Sequence, residues 1–94
     1  MMKTNICIAI EKKKLISFVY DNVERVVEPF CYGEDKDKAE KLSAFQIKGG
    51  KISDWKFFSA SGMSNIFVLG DRFKGKRNGY NKNDPRFLHV YCKI

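Results

Sequence analysis

"LISFVYDNVERVVEPFCYG", residues 15–33, carries apolar and polar side chains in alternation on both sides of a two-residue break. Successive side chains on a strand point to opposite faces, so Ile16, Phe18 and Tyr20 share one side and Leu15, Ser17 and Val19 the other. Asp21 and Asn22 tolerate the dihedrals of a tight reversal, which makes the stretch a hairpin. On its second arm Arg25, Val27 and Pro29 alternate with Glu24, Val26, Glu28 and Phe30. Pro29 has no N–H to give to a ladder and marks an edge, a bulge or a strand end.

Outward from the hairpin the elements are short. Upstream, Ile6, Ala9 and Ile10 fall on one face of a helix that Thr4 or Asn5 can cap, with lysines in its last turn. Downstream, "EDKDKAEK" (34–41) reads as a mobile charged connector, followed by strands at 42–48 and 54–60 around a Gly49-Gly50 turn. A kink at Gly62 precedes a β-like run from Ile66 to Leu69. At the end, Leu88, Val90, Cys92 and Ile94 alternate with Phe87, His89, Tyr91 and Lys93 as a last strand. The fold class expected is mainly β: a small barrel of five to six strands with a short N-terminal helix, one domain over residues 1–94. Closure would remove exposed strand edges, and a doubly wound α/β sheet is disfavoured because there are no crossover helices.

The chain of 94 residues carries a net charge of +7, and the charge is concentrated. Between residues 72 and 86 lie Arg72, Lys74, Lys76, Arg77, Lys82 and Arg86 against the single acid Asp84, a net +5. Such a patch attracts polyanions, or it is a lysine-rich solvated loop. Tyr80 in the same segment either offers a face for a base to stack on or anchors the loop to the core, with Gly79 at positive φ and Asn81 forming an Asx turn. Trp55 divides similarly between packing and ligand contact, with packing favoured.

Cys7, Cys31 and Cys92 are odd in number and widely spaced without a C-x-x-C, so no disulfide framework and no zinc site is expected, and a cytoplasmic location fits. The apolar run "ICIAI" is five residues where about twenty are needed to span a membrane. Enzyme chemistry is not indicated. His89 sits in a strand pattern, no nucleophile elbow is present, and "GKRNG" lacks the strand-to-helix setting of a phosphate loop. No cofactor is expected.

The order of "LISFVY", "ERVVEP", "DWKFFSASGMSNI" and "RNGYNKNDPRF" resembles the WYL domain of bacterial regulators, in a short stand-alone form. The resemblance implies an SH3- or Sm-like barrel that senses a ligand through basic residues on one face. It carries over Tyr20 and Arg25 as the family's strand tyrosine and arginine, and Lys56 at a position usually held by arginine. Ser61, Gly62 and Met63 depart from the acid and base that relatives carry there, and the naming tripeptide is represented only within "KLSAFQI".

Residues and resemblance together define an expected non-enzymatic, regulatory binding module for single-stranded nucleic acid or a nucleotide-like anion. Its contacts would come from Tyr20, Arg25, Lys56, Arg72, Lys76, Arg77 and Tyr80. Arg25 shares a strand face with Val27, so burial of that face would demand an anionic partner for it. The alternative is a protein-interaction module, through a homo-oligomer or a separate DNA-binding chain.

Overall fold

In the computed structural model, which describes residues 2–50 and 53–94, the hairpin forms from β1 (Lys14–Tyr20) and β2 (Val23–Glu34). Asp21 and Asn22 both take positive φ, the pair of values a two-residue hairpin turn of the I′ kind requires. Among the described residues the remaining elements are a helix α1 (Met2–Lys12) and strands β3 (Glu40–Lys48), β4 (Asp54–Ser59), β5 (Ser64–Arg72) and β6 (His89–Lys93), with a 3-10 turn at Ala60–Gly62. All ladders are antiparallel and run β4-β3-β2-β1-β5. The protein is therefore mainly β with one short N-terminal helix. Among the described residues no ladder joins β4 to β5.

β2 is the spine. Its register against β3 slips between Pro29 and Cys31, where the proline cannot donate, and the strand bends there. Its first half pairs with β1, and beyond the bend Cys31 to Glu34 pair with β6. Gly33 makes that second pairing feasible, since a Cβ there would lie 2.2 Å from the His89 carbonyl oxygen.

The bent sheet buries side chains on both faces. On the helix side Ile16, Phe18, Val27, Leu42, Ala44 and Phe58 close on Ile6, Ala9 and Ile10. Met2 also packs here, one helical turn before Ile6, which explains why α1 begins ahead of Thr4 and why neither Thr4 nor Asn5 caps it. The opposite face carries a second, aromatic layer. Phe30 contacts Trp55, Phe73 and Tyr80 at ring separations of 4.9, 5.3 and 4.9 Å, and Phe87 meets Phe57 edge-on at 5.4 Å.

Two further expectations are corrected. The charged stretch 34–41 is an ordered hairpin turn: Asp35 Oδ1 accepts the N–H groups of Asp37 (2.9 Å) and Ala39 (3.0 Å), and Lys38 adopts positive φ. Cys7 and Cys92 are bonded to each other across 85 positions, tying α1 to β6. Linear spacing gave no sign of the pair because only the return of β6 to the helix side brings the two together. Cys31 is free and buried. No helix among the described residues is long and apolar enough to cross a membrane.

Candidate anion-binding groove

The strand register assigns each expected site residue to a face. Phe18 pairs with Arg25, Tyr20 with Val23 and Ala44 with Lys56, so Tyr20, Arg25 and Lys56 all belong to the helix-side face. Ser17 pairs with Val26, Glu28 with Phe45 and Phe45 with Trp55, which defines the outer face. The chain from Phe73 to Leu88 lies over that outer face. The seven expected residues are therefore not brought together: Arg72, Lys76 and Arg77 meet at one groove, and Tyr20, Arg25 and Lys56 lie across the sheet from it.

Tyr20 is a packing residue. Its ring stands edge-on to Phe58 at 4.9 Å, its hydroxyl oxygen accepts the Ser59 N–H at 3.1 Å, and Gly62 lies flat against it where any Cβ would come within 2.9 Å. Arg25 is half-buried and held by neutral acceptors. It donates from Nη1 to Gln46 Oε1 (2.9 Å) and from Nη2 to the Tyr20 carbonyl (3.1 Å), while its buried Nε has no partner among the described residues. The anionic partner that burial of Val27's face called for is thus replaced by a buried glutamine and a carbonyl. Lys56 is exposed.

Tyr80 anchors the basic segment. It stacks on Trp55 with rings 17° from parallel, packs on Phe30, and donates its hydroxyl to the Ile94 carbonyl at 3.1 Å. Burial pushes its phenol up to about 12. Gly79 takes a φ of +91° with the Trp55 indole where its Cβ would be, and the indole N–H donates to the Asn78 carbonyl at 2.8 Å. The Asx turn at Asn81 is present, closed by the Asn83 N–H at 3.0 Å. Trp55 and Tyr80 accordingly satisfy each other and the core.

Two arginines hold the segment down. The Arg77 guanidinium lies 3.9 Å from the Phe45 ring centre and grips both oxygens of the buried Glu28 carboxylate at 3.1 and 2.8 Å. That carboxylate raises the Arg77 pKa further above its ordinary value. Arg86 lies 4.0 Å from the Phe57 ring centre and pairs with Asp84, whose carboxyl it holds below its ordinary value.

Arg72, Lys74 and Lys76, together with the clamped Arg77, frame a groove of about 370 Å³ whose other lining residues are Leu15, Glu28, Ile47 and Phe73. The strand order explains the assembly, because Ile47, Glu28, Leu15 and Arg72 come from β3, β2, β1 and β5, four neighbours in the sheet. The 73–77 segment supplies the other wall, and the Phe73 N–H fixes its start by donating to the Lys13 carbonyl at 2.9 Å. Leu15, Ile47 and Phe73 are half-buried, whereas Arg72, Lys74 and Lys76 are exposed. Among the described residues those three have no carboxylate within salt-bridge distance. Four cations and one carboxylate leave the groove a net charge of +3.

Residue chemistry pointed to Arg72, Lys74, Lys76 and Arg77 as phosphate-neutralising groups. It missed the apolar wall of Leu15, Ile47 and Phe73 and the pairing of Glu28 with Arg77. The available signal was the outward parity of Leu15 and Glu28 on their strands, but their partners depend on how residues 73–77 return over the sheet. Comparisons with protein-family models, with curated proteins and with solved structures find no match for this chain.

Proposed function

We propose that this domain is a non-enzymatic binding module whose groove between the sheet and residues 72–77 receives a phosphate-bearing ligand, a nucleotide or a single-stranded nucleic acid. The observation that carries the reading is the charge arrangement. Glu28, the one acid in the groove, is committed to Arg77, which leaves Arg72, Lys74 and Lys76 free to replace the counterions of a phosphate chain. The resemblance to WYL regulators supports a sensing role, and any DNA-reading element would then belong to a separate chain. The reading differs from the resemblance in position, because the groove uses the outer face and not the face of Tyr20, Arg25 and Lys56.

The test is binding of a fluorescein-labelled oligothymidylate across a salt series. Three phosphate contacts on a single strand give log K a slope of about −2 against log salt, at roughly 0.7 per phosphate. A flat response with the oligothymidylate and with fluorescein-labelled ATP alike rejects the proposal. A cytoplasmic location belongs to the same reading and carries a corollary, since reducing cytosol opens most disulfides: Cys7 and Cys92 would be thiols there. Alkylation of protein in freshly lysed cells, followed by mass measurement, distinguishes thiols from the bonded pair.

A further inference from the structure

We infer that the groove is built for one nucleotide, a nucleoside di- or triphosphate, and not for a track of successive bases; this rests on the anion-binding reading above. Single-strand tracks combine a basic channel with several aromatic platforms. The aromatics near this segment are already engaged: Trp55 and Tyr80 stack on each other, and each gives its polar hydrogen to a carbonyl. Phe57 has Arg86 over its face and Phe87 at its edge, and Phe45 is covered by Arg77. Within the groove an apolar niche remains open between Leu15, Ile47 and Phe73, with Phe73 backed by Phe30.

The dimensions agree. A volume of about 370 Å³ stands at the small end of ligand sites, which run from roughly 300 to 1,000 Å³. One planar base against the niche fills the apolar part, and its phosphates reach the exposed Arg72, Lys74 and Lys76 on the rim. Lysines act there as mobile point charges that follow a flexible phosphate chain, and Arg72 supplies a fork for two oxygens of one phosphate.

The experiment is calorimetric titration of the intact chain, in EDTA, with ATP, inorganic tripolyphosphate, and oligothymidylates of two to ten nucleotides. ATP is expected to bind with 1:1 stoichiometry and at least tenfold more tightly than tripolyphosphate, because only ATP fills the niche. Ile47→Ser is expected to bring ATP down to the tripolyphosphate level, and the comparison on the unsubstituted chain stands if that variant fails to fold. Equal affinity for ATP and tripolyphosphate overturns the inference and leaves anion binding intact. Affinity that keeps rising as oligothymidylate lengthens to ten overturns it in favour of a track. Absence of binding by every probe removes both readings.

Discussion

Tyr80→Phe and Tyr80→Ala perturb the basic segment by different, calculable amounts. The phenylalanine variant deletes only the hydrogen bond to the Ile94 carbonyl, a loss of about 1 kcal/mol for a typical protein hydrogen bond. The alanine variant also removes a half-buried ring in contact with Phe30 and Trp55. Full burial of an aromatic ring is worth roughly 3 to 5 kcal/mol on truncation, and half of that gives about 2, for a total near 3 kcal/mol. That is a large fraction of a stability of roughly 5 to 15 kcal/mol, but it falls on one layer. Urea unfolding should rank the variants as unsubstituted, Phe, Ala. Hydrogen exchange in Tyr80→Ala should rise over residues 76–84, while β1 and α1 keep their protection. Nucleotide affinity should stay within about twofold for Phe and fall for Ala, as the groove wall loosens. If Tyr80→Phe keeps full stability yet loses tenfold in affinity, Tyr80 is a ligand contact and its assignment as an anchor is wrong.

Three other outcomes follow from the same geometry. Glu28→Gln releases the Arg77 charge into the groove, so polyanion affinity should rise severalfold and the salt slope should steepen by up to about 0.7; an unchanged slope would show that Arg77 never faces the ligand. The Cys7–Cys92 bond closes a loop of 85 positions, for which the chain-entropy estimate is about 4 to 5 kcal/mol and typical measured values about 2 to 4. Reduction should therefore lower the urea midpoint markedly, and thiol titration of unfolded protein that has been purified and air-oxidised without reductant should find one group, Cys31; three groups would mean that the pair does not form even under oxidising conditions. Burial pushes the Cys31 thiol from 9.0 to about 11 and the Tyr80 phenol from 10.0 to about 12. Both are raised in the fold, so the stability that these two groups contribute is complete below pH 9 and is lost as pH climbs from 9 towards 12, where the unfolded chain ionises first. Urea midpoints at pH 8 and pH 10.5 measure this, and a flat profile would contradict the burial of both groups.

Much of the fold was legible because local signals agreed with one another. The alternation of Ile16, Phe18 and Tyr20, the Asp21-Asn22 reversal and the donorless Pro29 are properties of single residues and nearest neighbours, and each appears where it was read. The face of α1 was equally plain, although its start was not, since Met2 lengthens the helix through a tertiary contact. The candidate site was less legible. Charge density marked residues 72–86 correctly as a basic surface element, but not that Arg77 and Arg86 serve to clamp it over Phe45 and Phe57. Parity along β1, β2 and β4 fixed which residues share a face within each strand. Which face the late segment covers is decided by chain return, and that separated Arg25 and Lys56 from Arg72 and Lys76. The cysteine pair was hidden for the same reason.

Binding of labelled oligothymidylate, measured at one salt concentration on two sets of variants, tests the placement most directly. One set neutralises the groove with Arg72→Ala, Lys74→Ala and Lys76→Ala together; the other alters the helix-side face with Arg25→Met and Lys56→Ala. Circular dichroism checks that both sets fold. The account predicts a loss of at least tenfold for the groove set and a change under twofold for the helix-side set. The reverse pattern, with binding lost through Arg25 and Lys56 and kept without Arg72, Lys74 and Lys76, would contradict it.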